Sequence, residues 1–182
     1  MVNEYARQGF HLLSSLGLAV LAWVLAQHWF LLLCATLIAL GALLIYLRPS
    51  FIVHTLTVFD RREALFAGEG AFMAVLGGFL VVLLFPAQAV PALIVLAVAD
   101  AAATVAGVFF GRRKVFWSAS KTWVGVATFF VCSCAILVFF SSWWLVVALL
   151  ATVVEAADYS SYPLLDDNVL IPLTVAAALV VF

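Results

Sequence analysis

Apolar residues run along this chain in long unbroken blocks, with neither the polar face of a surface helix nor the alternation of a half-buried strand. Measured against the roughly 20 residues that cross a bilayer core, the blocks predict helices near 10–26, 29–47, 69–86, 88–110, 122–140, 143–157 and 168–182. The last holds about 15 residues, or about 22 Å at 1.5 Å per residue, which is short for a full crossing. Barrel strands alternate apolar and polar positions with period two, whereas these runs are apolar all round. The first run lacks a Lys/Arg-rich leader and a small-residue cleavage site, so it is expected to be a retained span. The pattern predicts an all-α integral membrane protein, with residues 1–182 forming one bundle of about seven transmembrane helices. Between the second and third blocks, about 48–68, the chain is too polar to span. There Phe51, Ile52, Leu56, Val58, Phe59, Leu65 and Phe66 could cover one side of a helix lying in the interface.

Composition supports the same class: 68% of the 182 residues are hydrophobic and 9% charged, with a mean hydropathy of +1.29. Eight Lys and Arg against nine Asp and Glu leave no cationic field for nucleic acid, so that partner is excluded from the reading. Cys34, Cys132 and Cys134 lie in apolar runs without zinc-site or disulfide-framework spacing, and read as packing residues.

Charge position is more informative than charge sum. With seven spans, Arg7, Arg48, Arg61, Arg62, Arg112, Arg113, Lys114 and Lys121 all fall on one face. The positive-inside rule makes that face cytoplasmic, with the N-terminus on it and the C-terminus opposite. Glu4, Asp60, Glu63, Glu69, Glu155, Asp158, Asp166 and Asp167 lie on or near the same side, and Asp100 lies part-way down the fourth span. Topology does not require acids to gather there, because they contribute little to orientation. Acids interleaved with basic residues and glycines at helix ends suit a bound polyanion with its metal.

Three clusters carry the candidate chemistry. Glu4, Arg7 and His11 share a helical face at the start of the first span, where Arg can hold phosphate oxygens and His can bond a hydroxyl or phosphate. In the fourth span, Asp100 stands among alanines that let neighbouring helices approach. It is followed by GRRK at 111–114 and SASKT at 118–122. This is not a P-loop, yet a carboxylate, small residues and a cationic loop are the parts phosphoryl transfer needs. An acid can bind the Mg²⁺ that bridges phosphates, while Lys and Arg neutralise developing charge. The third cluster, EAADYSSYPLLDDN at 155–168, brings Glu155, Asp158, Asp166, Asp167 and Asn168 to the start of the last span. Capping accounts for one of the paired aspartates.

The order and spacing of these motifs resemble the polyprenol kinase family, which includes dolichol kinase, phytol kinase and CTP-dependent diacylglycerol kinase, and more distantly phosphatidate cytidylyltransferase. The resemblance rests on Glu4, Arg7 and His11; on RREALFAGEG at 61–70; on ADAAATVAGVFFGRRK at 99–114 with SKTWVG at 120–125; and on the pattern from Glu155 to Leu173. Ala99 and Val124 depart from it, standing where a glycine and an acid are common. The resemblance implies transfer of the γ-phosphoryl group of CTP, with Mg²⁺, to an isoprenoid alcohol or diacylglycerol at the cytoplasmic face. Asp100, Asp167 and Asn168, with Glu155 and Asp158, would hold the metal. Arg7, Arg112, Arg113, Lys114, Lys121 and Thr122 would hold the triphosphate, and His11, Glu69 and Asp158 are the candidate bases. A cytidylyltransferase making a CDP-lipid is the nearest alternative, and a small channel or proton-coupled carrier using Asp100 is another. The partners implied are the lipid alcohol, the nucleotide and the bilayer; assembly with further copies is left open.

Overall fold

The computed structural model describes residues 4–51, 65–118, 120–157, 159 and 165–182, and seven main helices and no strand are found among these described residues. They are α1 (Glu4–Val24), α2 (Gln27–Leu47), α3 (Glu69–Leu84), α4 (Ala89–Phe110), α5 (Trp123–Leu137), α6 (Trp144–Ala156) and α7 (Asp167–Val181). Two of these, α2 and α4, are each long and apolar enough to cross a membrane. Polar residues mark the starts of two helices. Thr122 caps α5 by accepting a hydrogen bond from Gly125 N at 3.1 Å, and Asp166 caps α7 by accepting one from Asn168 N at 2.8 Å. Arg48 ends α2 in the left-handed region at φ 47°, its N–H donating to Leu44 O.

The helix at the centre is α4. Packed against it are α1, α3, α5 and α7, while α6 bridges α5 and α7, and α2 lies outside against α3. Residues Ala92, Leu93, Val95, Leu96, Ala97 and Ala99 of α4 are completely or almost completely buried. All of these but Ala97 share one core cluster with Phe30, Val81, Phe129, Leu137, Val147, Ile171 and Val175 from the surrounding helices. Side chains on the outside are apolar as well, as Leu13, Trp23, Tyr46 and Val153 show. A monomer in water rarely exposes apolar surface so continuously.

Two close approaches depend on glycine. A Cβ on Gly77 of α3 would overlap the backbone carbonyl of Asn168, so α3 and the first turn of α7 touch backbone to backbone. At the other crossing, a Cβ on Gly107 of α4 would lie 2.9 Å from Thr122 Oγ1, and one on Gly111 would run into the Gly107 carbonyl. Both glycines make room for the cap of α5.

The structure departs from the sequence pattern at helix ends. The first helix begins at Glu4, six residues before the apolar block, because its first turns are polar yet turn Gln8 into the bundle. The fifth ends at Leu137, three residues before its block does; Val138–Phe140 stay apolar but leave the helix in tight turns, with Phe139 N bonding Ile136 O. Four helices of 13 to 16 residues result, about 20–24 Å long against a bilayer core of about 30 Å. Of the interfacial segment at 48–68, residues 52–64 lie outside the described residues.

Candidate functional site

Helix α4 changes its winding where it carries its acid. Residues Leu96–Asp100 form a π-helical turn before regular α-helix resumes at Ala101. One such turn admits an extra residue and re-aims the side chains around it, and π-turns of this kind recur at functional sites. Asp100 is thereby directed into the bundle, only 5% exposed. Its Oδ2 lies 3.2 Å from Nε2 of His11 on α1. That is ion-pair range without the alignment of a hydrogen bond.

A second charged group is built from three elements. Lys121 ends the α4–α5 connection, and its Nζ donates to Glu155 Oε1 at 2.8 Å and to Asp167 Oδ2 at 3.0 Å. Glu155 comes from the last turn of α6 and Asp167 from the first turn of α7, and both carboxylates are buried. Burial by itself lowers the pKa of the Lys121 ammonium. The carboxylates of Asp167, Glu155 and Asp100 outweigh that and hold it above the usual lysine range. Asp100 is therefore within the field of Lys121, and the two polar groups form one electrostatic unit.

The connection that presents Lys121 is folded on itself. Val115 N bonds Lys121 O, Trp123 N bonds Arg113 O, and Ser118 Oγ accepts from the N–H groups of Ser120 and Lys121 at 3.2 Å each. Trp117 pins this loop to α6, donating from Nε1 to Ala156 O at 2.7 Å, while its ring meets Trp123 edge to face.

Two carboxylates thus bond one ammonium and a third adds to its field, and two oxygens beside them are buried without a hydrogen-bond partner among the described residues: Glu155 Oε2 and Asn168 Oδ1. Hard oxygen donors with an excess of negative charge suit a divalent cation such as Mg²⁺. Among the described residues, no three His, Cys, Asp or Glu side chains form a ready-made ligand cluster. Mg²⁺ needs none, since one or two carboxylates with water and phosphate oxygens complete its shell.

The structure brings together His11, Asp100, Lys121, Glu155, Asp167 and Asn168 out of the residues singled out in the sequence. Others have settings of their own. Thr122 Oγ1 serves as the α5 cap, packed between Gly107 and Gly125. Glu69 Oε2 accepts from Leu65 N at 3.0 Å in a local turn at the start of α3. Arg112, Arg113 and Lys114 lie exposed on the connecting loop, with Lys114 Nζ bonded to Ser120 O at 2.8 Å. Arg7 is half-buried one turn from His11. Asp158 lies outside the described residues, and of Glu4 only the backbone is described.

Some contributors were not singled out from the sequence. Gln8 and Ser15 are buried and share with His11 the inward stripe of α1. The spacing of three and four between them was available as a signal. Tyr159 donates to Val154 O at 2.9 Å, and its phenol pKa is pushed up by burial and by Asp167, against the opposing pull of Lys121. Trp117 had no such signal, because its partner is a backbone carbonyl 39 residues away. Compared with protein-family models, with curated proteins and with solved structures, the chain matches none.

Proposed function

We propose that this chain is a multi-pass membrane kinase that transfers the γ-phosphoryl group of CTP to a lipid alcohol, isoprenoid or diacylglycerol-like, at the cytoplasmic face. The observation that carries the reading is the convergence of Asp100, Glu155, Asp167, Asn168, Lys121 and His11 at the end of the bundle where the basic residues gather. An ionisable residue at membrane depth is expensive and marks function by default. Here several are assembled from separate helices, and Gly77 lets α3 press directly on the turn that supplies Asp167 and Asn168.

Asp100, Asp167, Asn168 and Glu155 would hold Mg²⁺, which would supply neutralisation of the phosphate charge. Lys121, held by Glu155 and Asp167, would neutralise charge on the transferring phosphate with its ammonium. Exposed Arg112, Arg113 and Lys114 draw the polyanion from water toward the loop. His11 receives the proton of the lipid hydroxyl at Nε2, and Asp100 stabilises the imidazolium that forms. The buried packing around these groups excludes water, which would otherwise compete for the phosphoryl group. Because a loose transition state places little charge on the attacking oxygen, His11 contributes less than the charge-holding residues.

Incubating the purified protein with Mg²⁺, each nucleoside triphosphate and a panel of lipid alcohols, then reading products by mass spectrometry, tests this directly. The expected products are a lipid phosphate and CDP. Asp100→Asn is expected to lower turnover by at least about 100-fold, the scale on which removing one charge-stabilising group acts. Release of pyrophosphate with a CDP-lipid would make the protein a cytidylyltransferase instead. Cation flux into liposomes without nucleotide turnover would make it a carrier.

A further inference from the structure

The outer surface of the bundle holds a cavity that the charged cluster does not use. About 410 Å³ of space lies between α2 and α3, open along one side, within the ~300–1,000 Å³ range of small-molecule sites. Its α2 wall is a single axial stripe running from Leu37 through Gly41 and Leu44 to Arg48, and Phe66 and Phe72 form much of the opposite wall. Gly41 is what opens the groove's floor, since a Cβ there would lie 2.9 Å from the Phe72 ring. The two phenylalanines meet edge to face at 5.8 Å and stiffen that wall.

Two features define what fits. The lining is apolar except at one end, where exposed Arg48 stands beyond the last turn of α2. Arg48 lies eleven positions after Leu37, about 16 Å along a helix. That equals one leaflet, half of the ~30 Å hydrocarbon core. A chain lying in the groove would therefore start at the level of Arg48 and end near the bilayer centre, with its headgroup beside a guanidinium.

We infer that the α2–α3 groove is a binding site for one anionic phospholipid of the cytoplasmic leaflet, its acyl chain along Leu37–Leu44 and its phosphate on Arg48. Arg is suited to that role because its planar fork can give two parallel hydrogen bonds to phosphate. The lipid fills the groove left at one end of the α2–α3 contact, where α2 packs on the bundle chiefly through α3. The inference rests on insertion of the chain in a bilayer, and not on the kinase reaction.

Native mass spectrometry of the full-length protein in detergent, titrated with dioleoyl phosphatidylglycerol or dioleoyl phosphatidylcholine, tests it. Wild type is expected to retain one phosphatidylglycerol at concentrations roughly tenfold below those needed for phosphatidylcholine, whose choline cation offsets the phosphate charge that Arg48 meets; tenfold is the scale of one charge-assisted interaction. Arg48→Asn keeps a residue that tolerates the left-handed backbone, and is expected to remove the preference, weakening phosphatidylglycerol much more than phosphatidylcholine. Ala71→Phe, which fills the groove from α3, is expected to weaken both lipids; Val75→Phe does the same from one turn further along. Equal binding of the two lipids by wild type, an intact preference in Arg48→Asn, or unchanged adducts in both filling variants would overturn the site. Flotation of the protein with liposomes lacking anionic lipid is the separate control. Its failure would strike the membrane reading and leave the groove's lipid preference to the titration.

Discussion

Lys121 decides how the charged cluster holds together. Replacing it with Met would leave Glu155 and Asp167 buried without the ammonium between them, and removing one partner of such a group costs about 3–5 kcal/mol. The expected outcome is a large drop in the unfolding midpoint in detergent. A partial recovery is expected in Lys121→Met/Glu155→Gln, because the second change discharges a carboxylate that the first exposes; strictly additive losses would show that the two side chains do not couple. The pH dependence has a definite sign. The folded pKa of Lys121 lies above its ordinary value, so its stabilisation is complete below the unfolded pKa and is lost only as pH rises through the folded one. Between about pH 6 and 9, the gap in midpoint between wild type and Lys121→Met is therefore expected to show no loss from Lys121 titration. At this scale Asp100 was legible in the sequence, because a lone acid among alanines is conspicuous. The groups that surround it were not: Lys121 and Glu155 are 34 residues apart, and Lys121 and Asp167 are 46 apart. Nor does the local pattern distinguish the capping Asp166 from inward-facing Asp167, since neighbouring helix-start acids differ only in the direction their side chains leave the backbone.

Helices in this bundle are located by small residues as much as by large ones. Gly77 and Gly78 are adjacent and chemically identical, yet they do different work. A methyl on Gly77 would overlap the Asn168 carbonyl, whereas one on Gly78 would meet the Leu18 side chain at an ordinary 3.6 Å. Gly77→Ala is expected to cost about 1–3 kcal/mol, the usual range for overpacking a close crossing, and to push the first turn of α7 away from Lys121. Gly78→Ala is expected to leave the unfolding midpoint nearly unchanged. Measuring both in the same detergent separates a specific backbone contact from a general effect of added helix propensity, which would stabilise both alike. The positions of all seven helices were legible in the apolar blocks, since length and composition determine them. Their ends were less so. The inward stripe of α1 starts before its hydrophobic block, and α5 gives way to tight turns that keep the same apolar character. The π-turn at Leu96–Asp100 left no mark in the pattern, because an inserted residue in an all-apolar helix changes no period that composition can reveal.

At the scale of the molecule, orientation and chemistry stand or fall together. The charged side chains brought into contact come from the first turns of α1, the π-turn of α4, the connection after α4, the end of α6 and the start of α7. The turns at the other end, around Gln27, Gln88 and Ser141, carry no charged residue. Basic residues hold their side of a bilayer because they resist translocation during insertion, so the proposed arrangement puts the cluster and a soluble nucleotide in one compartment. Labelling single cysteines with a membrane-impermeant maleimide tests that arrangement without relying on catalysis. With Cys34, Cys132 and Cys134 replaced by Ala, Ser141→Cys is expected to react in intact cells. Arg113→Cys, on the exposed loop ahead of Lys121, is expected to react only after the membrane is opened. Labelling of Arg113→Cys from outside would place the charged cluster away from cytoplasmic nucleotide. The kinase reading would then fail at its first requirement, whatever the geometry of Asp100 and Lys121.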